Sequence, residues 1–375
     1  MIYREFKKGK IKVSSLGFGA MRFPTIKNEG DIDVLKTERM LDYAIENGVN
    51  YIDTAYPYHD GMSEPFLGHY IEKRKIREKI YLATKMPVWL VNKKEDFDFY
   101  FNTQLNRLRT DYIDFYLLHS LWKKSWEKVR DLGVIDWLIN KKKEGKIRYF
   151  GFSFHDEFEV FKEIVDYYDW DFAQIQLNYM DVDYQAGERG LLYAYKKGIQ
   201  VIIMEPIKGG KLANPPERVL KVLKEFDPKR TPVEWALSFV LNKKEVFTVL
   251  SGMSALEHVK ENIRIASKYD VGCLTKEEEE ILKEAREEWL KIKFIDCTNC
   301  KYCLPCPFGV NIPKNFEIYN EALRYNDFKE GKYRYEFLKE EERASNCREC
   351  GECESKCPQN LSIIELLKLV DEAFR

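Results

Sequence analysis

No stretch of the chain approaches the ~18 consecutive apolar residues of a membrane-spanning helix, and the opening residues, M-I-Y-R-E-F-K-K, lack the apolar core of a secretory signal. An excess of charge of one sign is missing too. Lys and Arg number 61 against 62 Asp and Glu, a formal net charge of −1. No overall field therefore favours nucleic acid or an anionic membrane surface. Cysteine is almost absent upstream of Cys297, where Cys273 stands alone. No repeat of about 20–50 residues recurs apart from two cysteine clusters, and no segment is of low complexity. These absences lead to the expectation of a soluble, cytoplasmic protein that binds neither nucleic acid nor membrane. The 45% hydrophobic fraction is that of an ordinary globular protein. The 33% charged fraction, rich in Lys and Glu, is in keeping with a heat-adapted source.

A chain of 375 residues accommodates one large domain and a small one, because single hydrophobic cores stop growing near ~250–300 residues. Short β-rich runs alternate with longer amphipathic stretches, the pattern of a parallel sheet. Eight strands are predicted, at Leu16–Met21, Tyr51–Ala55, Ile80–Lys85, Ile113–His119, Tyr149–Ser153, Phe172–Leu177, Val201–Glu205 and Thr248–Ser251. Their near-continuous apolar character fits burial on both faces. Helices are expected around Thr37–Glu46, Phe101–Leu108, Val219–Leu223 and Val233–Leu241, from core-spaced apolar residues. Eight strands in ~260 residues match a closed (β/α)8 TIM barrel. An open doubly wound sheet is the alternative, but L-G-F-G-A-M has the glycines of a dinucleotide fingerprint without the G-x-G-x-x-G spacing. The expected division is residues 1–272 as the barrel, 273–293 as a linking helix opened by a Thr275/Glu278 capping box, and 294–375 as a cysteine-rich domain.

Three of these strands end in chargeable groups. N-Y-I-D-T-A brings out Asp53, with Tyr58 five residues on; I-Y-L-A-T-K ends at Lys85; I-D-F-Y-L-L-H ends at His119. The C-terminal ends of barrel strands build the active site. A phenol with a reference pKa of ~10 donates poorly at neutral pH, and a neighbouring ammonium lowers that value. Lys85 can supply the ammonium, Asp53 can hold it, and His119 can orient a carbonyl oxygen or share in proton transfer. Tyr58 then serves as a general acid for an alkoxide forming at a carbonyl carbon. Taken singly, Lys85 and His119 also fit a structural ion pair and a plain buried histidine. The four together, on consecutive strand ends, favour chemistry.

D-T-A-Y-P-Y, A-T-K and D-Y-I-D-F-Y-L-L-H resemble the aldo-keto reductases over residues 1 to about 270, and G-M-S-E (Gly61–Glu64) is similar to the family's segment after the tyrosine. The resemblance implies a TIM barrel that interconverts a carbonyl and an alcohol with NAD(P)H, using Asp53, Tyr58, Lys85 and His119 as its catalytic tetrad. It also implies that Ser153, Gln174 and Asn178 hold the nicotinamide carboxamide. Met204 stands where the family usually places an aromatic ring against the nicotinamide, and a thioether still packs on a ring. Lys208, Gly209 and Gly210 form a basic, permissive loop suited to a diphosphate, or a plain turn. In V-L-S-G-M-S-A-L-E-H-V-K-E-N the frame resembles the adenosine-phosphate site, with Glu261 and Asn262 at the adenine end. Gly252 and His258 replace the basic residues that clamp a 2′-phosphate, which leaves NAD, NADP and a flavin open.

The tail carries C-T-N-C-K-Y-C-L-P-C-P (Cys297, Cys300, Cys303, Cys306) and C-R-E-C-G-E-C-E-S-K-C-P (Cys347, Cys350, Cys353, Cys357). In an intracellular chain such clusters read as metal sites rather than disulfides. The second has the C-x2-C-x2-C-x3-C-P spacing of bacterial ferredoxins, and the first is one residue shorter before its last cysteine. Two structural zinc sites, each held by four cysteines, are the alternative; these use separate C-x2-C pairs rather than a three-plus-one run. The tail resembles a two-cluster 4Fe–4S ferredoxin. That resemblance implies that the fourth cysteine of each run serves the other cluster: Cys297, Cys300, Cys303 and Cys357 hold one, and Cys347, Cys350, Cys353 and Cys306 hold the other. Helices are expected over F-E-I-Y-N-E-A-L-R-Y, Y-R-Y-E-F-L-K-E-E-E-R and the C-terminal L-S-I-I-E-L-L-K-L-V-D-E-A-F, and Cys273 is expected to be a buried apolar residue.

Some members of the family carry such a tail. The chain is accordingly expected to be an oxidoreductase acting on a small carbonyl or alcohol, with the clusters exchanging single electrons with a protein partner. A hydride carrier moves two electrons and a cluster one, so a splitter such as flavin is called for, although no flavin motif is visible. An electron-transfer or redox-sensing module that binds nucleotide without turnover, and a tail whose clusters are purely structural, are the other readings.

Overall fold

The computed structural model describes residues 1–325 and 327–375. The chain opens with a hairpin, β1 (Tyr3–Phe6) and β2 (Ile11–Ser14), paired antiparallel. Eight further strands follow: β3 (Leu16–Gly19), β4 (Tyr51–Asp53), β5 (Tyr81–Met86), β6 (Ile113–Leu121), β7 (Ile147–Phe154), β8 (Phe172–Gln176), β9 (Gln200–Met204) and β10 (Val246–Ser251). Neighbours pair in parallel, and β10 returns to β3, so the sheet closes into a barrel in chain order. These are the eight strands read from the apolar runs. The open doubly wound sheet is excluded by closure.

Side chains alternate along each strand. Ile52, Leu82, Tyr116, Leu118, Phe152 and Ile203 belong to the large core under the helices. The alternate set, Tyr51, Ala83, Phe115, Leu117, Phe172, Ile202 and Phe247, fills the barrel interior. The hairpin, which the apolar pattern did not reveal, caps that interior. Phe6 lies with its ring centroid 5.2 Å from Phe115 and 5.1 Å from Phe247. Arg4 is buried and donates to Val246 O at 2.7 Å, to Lys243 O at 3.2 Å and to Leu241 O. Four-residue strands with one buried face are too short to stand out against flanking lysines. With the N-terminal end plugged, the C-terminal strand ends form the barrel's mouth.

The helices follow from their capping and periodicity. The helix Val34–Glu46 begins where Asp33 accepts from Lys36 N–H, and it buries Met40, Leu41 and Ala44. The helix Glu95–Leu108 buries Phe97, Phe101, Gln104 and Leu108, then stops at Arg109 in the left-handed region.

Contacts divide the chain into two units, Met1–Ile207 with Val233–Lys276, and Lys208–Pro232 with Glu277–Arg375. Within the second, the helix Lys276–Leu290 ends three residues earlier than expected, and Arg230 Nη1 pairs with Glu278 at 2.6 Å. The helices Ile312–Tyr325, Phe328–Glu336 and Ile363–Phe374 gather around Phe316, Tyr319, Leu367 and Phe374. The middle helix lies N-terminal to its expected position over Tyr333–Arg343. Asp327 accepts from Glu330 N–H and starts it early. The Arg343 guanidinium takes the carbonyls of Glu336 at 2.6 Å and Leu338 at 3.1 Å, ending it before the acidic run. Among the described residues no helix is long and apolar enough to cross a membrane.

Candidate active site and metal centre

One rule of geometry brings the polar residues to the mouth. Interior positions recur every second residue, so Tyr51 is followed by Asp53, Ala83 by Lys85, Leu117 by His119, Gly151 by Ser153, Phe172 by Gln174, and Ile202 by Met204. The first member of each pair lies within the barrel, and the second stands one layer nearer the rim. Because β4, β5 and β6 are neighbours, Asp53, Lys85 and His119 converge.

Lys85 is completely buried. Its Nζ donates to Asp53 Oδ1 at 2.5 Å and to Thr54 O at 2.8 Å, and it lies 3.4 Å from the Tyr58 hydroxyl. Burial draws the Lys85 ammonium below its ordinary pKa, and Asp53 partly restores it. Burial also raises the Asp53 carboxyl, against the pull of Lys85. The Tyr58 and His119 rings meet edge to face at 5.9 Å, and the Trp89 ring lies 5.1 Å from that of His119. Burial, then Lys85, then His155 hold His119 well below the ordinary imidazole pKa, so the ring is neutral at neutral pH. The arrangement offers a phenol beside a cation, with a neutral imidazole facing it.

Two supports escaped the sequence reading. Glu64, fully buried within G-M-S-E, accepts from Thr84 Oγ1 and Gln104 Nε2, each at 2.6 Å, and from Arg107 Nη1 at 3.2 Å. Gln104 also donates to Lys85 O at 3.0 Å. The Lys85 backbone is thereby locked from behind. Nothing in an amphipathic helix distinguishes Gln104 from a surface glutamine. The second support is His59. Its Nε2 accepts from Phe23 N–H at 3.1 Å and its Nδ1 lies 2.8 Å from Glu29 O, tying the turn that carries Tyr58 to the loop after β3.

The remaining candidates are arranged less uniformly. Ser153 Oγ accepts from Ser120 N–H at 2.7 Å. Gln174 pairs in register with Ser153. Its Nε2 lies 3.4 Å from Met204 Sδ, and its Oε1 is buried without a hydrogen-bond partner. An orphaned carbonyl at the mouth fits a carboxamide NH2, so this edge suits a nicotinamide. Asn178 is occupied locally: Nδ2 donates to Asp181 Oδ2 at 2.9 Å and Glu205 O at 3.0 Å, and Oδ1 accepts from the Met180 and Asp181 N–H groups. It shapes the turn after β8. Gly252 is exposed beneath Arg22, whose Cδ would lie 3.1 Å from an added Cβ, and Arg22 is 3.9 Å from Glu205. Asn262 is buried and donates to Ser251 Oγ at 2.9 Å; Glu261 is half-buried and His258 exposed. Lys208 belongs to the second unit, where its buried ammonium lies 3.7 Å from Asp296. Gly209 and Gly210 follow it with φ of 64° and 94°, a conformation that requires glycine.

In the second unit, eight of the nine cysteines line two cavities. Cys297, Cys300, Cys303 and Cys357 surround one, with Pro313, Phe316 and Ile363. Cys306, Cys347, Cys350 and Cys353 surround the other, which Cys303 also touches, with Phe308, Val310 and Leu367. Burial pushes the Cys303 thiol up, and Cys300, Cys297 and Cys357 push it further, as expected of thiols crowding one cavity. Each cavity is lined by four thiols, a donor set that a 4Fe–4S cluster accepts, and the three-plus-one runs that supply them have the ferredoxin arrangement. Cys273 is half-buried rather than buried, with Sγ 3.8 Å from Ser238 O.

The 4Fe-4S dicluster domain matches residues 296–361. An uncharacterized oxidoreductase of Bacillus subtilis, YqkF, is 29% identical over 298 residues, which is 70% of this chain and 90% of that protein. The NADH-specific methylglyoxal reductase of Escherichia coli is 30% identical over 261 residues, covering 58% and 78% of the two chains. The holo form of aldo-keto reductase AKR11C1 from Bacillus halodurans superposes with a TM-score of 0.63 at 29% identity, over 76% of this chain and 96% of that one. The aldo/keto reductase family model matches residues 15–286, and with the closed barrel and its mouth already described, the chain belongs to the aldo/keto reductase family and carries a C-terminal 4Fe–4S domain.

Proposed function

We propose that the barrel interconverts a small carbonyl and its alcohol, with Tyr58 as the acid–base residue. The observation that carries this is the Lys85 ammonium, tied to Asp53 at 2.5 Å and lying 3.4 Å from the Tyr58 hydroxyl. A cation so placed favours the phenolate, and brings the phenol towards a pKa useful at neutral pH. His119, held neutral by burial, donates to the carbonyl oxygen and orients it. As the carbon accepts a hydride, negative charge grows on that oxygen, and Tyr58 protonates it. Oxidation of the alcohol runs the same path in reverse, with Tyr58 taking the proton. Bound NAD(P)H supplies the hydride. Gln174 Oε1 and Ser153 are the groups suited to its carboxamide, Met204 to its ring, and Asn178 to shaping the turn beside it. Gly252, Glu261 and Asn262 are assigned to its adenosine end.

Two 4Fe–4S clusters are proposed in the tail, one on Cys297, Cys300, Cys303 and Cys357 and one on Cys347, Cys350, Cys353 and Cys306, where they supply one-electron transfer to or from a protein partner. Joining a two-electron hydride to single electrons requires a two-step carrier, for which a flavin has the chemistry. The matched relatives include two methylglyoxal reductases and an L-galactose dehydrogenase, so 2-oxoaldehydes and sugars head the substrate panel. Because thiolate-held clusters persist in reducing surroundings, the cytoplasm is the assigned compartment. The test is Tyr58→Phe. Carbonyl reduction is expected to fall by about 10²–10⁴-fold while the iron–sulfur absorbance stays unchanged. Wild-type rates in that variant would remove Tyr58 from its role.

A further inference from the structure

The reaction above gives Lys208 and Lys211 no task. Both belong to the second unit and stand on the turn Lys208–Ala213, in which Lys208, Gly209 and Gly210 take φ of 48°, 64° and 94°. Glycine enters that left-handed region freely, whereas a lysine does so under strain. The strained turn carries two ammonium groups to the stretch that leads into Cys297. Lys211 Nζ donates to Ile295 O at 3.0 Å. Asn320 fastens the same residue, accepting from its N–H at 2.8 Å and donating to its carbonyl at 2.7 Å. Lys208 and Lys211 lie 3.7 and 3.8 Å from one carboxylate oxygen of Asp296, the residue before Cys297. Their side chains are 3% and 16% exposed, against 54% for Asp296. With so few residues between, both ammonium groups stand within about 10 Å of the Cys297 backbone.

We propose that Lys208 and Lys211 set the potential of the cluster on Cys297, Cys300, Cys303 and Cys357, each raising its midpoint. This rests on the cluster reading above and deepens it. A cluster held by four thiolates is anionic and takes on further negative charge when reduced. A cation held nearby and out of solvent therefore favours the reduced form, and cluster potentials respond to net charge and to exposure. Pro313, Phe316 and Ile363 around that cavity act the other way, because an apolar wall penalises added charge. The two ammonium groups offset that penalty. The charged residues that line the cavities themselves, Lys301 at this one and Arg348, Glu352 and Lys356 at the other, are all exposed. Water and salt screen charges so placed. Burial is thus what gives Lys208 and Lys211 their hold on one cluster and not on the other.

The test is an anaerobic redox titration of the iron-loaded full chain, followed by EPR, after its iron and sulfide have been counted. Lys208→Met and Lys211→Met should each lower one of the two midpoints, by roughly ten-fold in the reduction equilibrium, and leave the other in place. Lys208→Arg keeps the charge and should keep most of the wild-type midpoint. Lys356→Met, which removes an exposed cation, should move neither equilibrium by more than about two-fold. Cys350→Ser alters the other cluster, and the Lys208→Met shift should persist in that background. Midpoints unchanged in both lysine-to-methionine variants overturn the proposal. So does a shift that disappears with Cys350→Ser, or one that Lys208→Arg reproduces in full, which marks packing rather than charge. A wild type that holds fewer than two clusters sinks the cluster reading itself, and the proposal with it.

Discussion

In the barrel, Phe6, Phe115, Phe172 and Phe247 fill the interior, while Leu82, Tyr116, Leu118 and Phe152 lie under the helices. In the second unit, three helices meet around Phe316, Tyr319, Leu367 and Phe374, and Cys303 and Cys353 belong to the same buried cluster. The first region is large enough to be held by apolar burial, so its buried charges, Asp53 and Lys85, are insertions into a core that stands without them. The second has a smaller buried apolar cluster, and two of its cysteines are part of it. Its cysteines occupy the places where further Leu or Phe would sit, and metal binding there contributes directly to folding. The same chemical event, loss of a polar ligand, should therefore be local in one region and global in the other.

The largest expected effect is removal of iron. Anaerobic chelation should unfold the cysteine-rich unit, making residues 297–357 sensitive to trypsin while the barrel strands stay protected. The segment Lys208–Pro232, which contacts group with that unit, should become cleavable with it. A tail that resists trypsin after iron loss would end the contrast between the two regions.

Next is Lys85→Met. Asp53 would be left buried beside an apolar chain, and removing one partner of a buried pair costs about 3–5 kcal/mol. The midpoint of urea unfolding should fall accordingly, with the iron–sulfur absorbance of the native protein unchanged. An unchanged midpoint would show that Asp53 is already neutral in the folded barrel.

The smallest effect concerns acid. Unfolded imidazoles titrate near ~6.5, whereas His155 in the barrel is drawn down to about 4 and His119 lies well below its ordinary value. Below pH ~6.5 the unfolded chain takes up protons that the folded barrel refuses. The stability linked to these groups is thus complete above pH ~6.5 and is lost as pH falls towards about 4. Thermal midpoints of wild type and His155→Gln, measured at pH 7 and pH 5, should diverge, with the variant losing less. Parallel losses would show that His155 does not titrate differently on folding.

Much of this was legible in order along the chain. The apolar runs from Leu16 to Ser251 marked all eight barrel strands, because strands covered on both faces have little choice but Val, Ile, Leu, Phe and Tyr. Asp53, Lys85 and His119 were legible for the complementary reason: a charge at the end of such a run is conspicuous. Gln104 and Glu64 were not, since a buried glutamine on an amphipathic helix looks like any polar residue until Lys85 O and Thr84 Oγ1 are seen against it. Asn178, expected beside the nicotinamide carboxamide, has an amide engaged with Asp181, Met180 and Glu205, which only the folded turn reveals.

Local chemistry was enough to set which residues could react: a phenol, an ammonium, a carboxylate, an imidazole and eight thiols, each at a spacing that periodicity makes readable. Whether they meet was a matter of closure. Only when β10 pairs with β3 does the interior become a single plugged column, with Tyr58 and His119 facing each other above it. Only folding brings Cys357 beside Cys297 and Cys306 beside Cys347. Periodicity acts over a few residues, whereas these meetings join positions tens of residues apart, and their partners are chosen by packing that no short window contains.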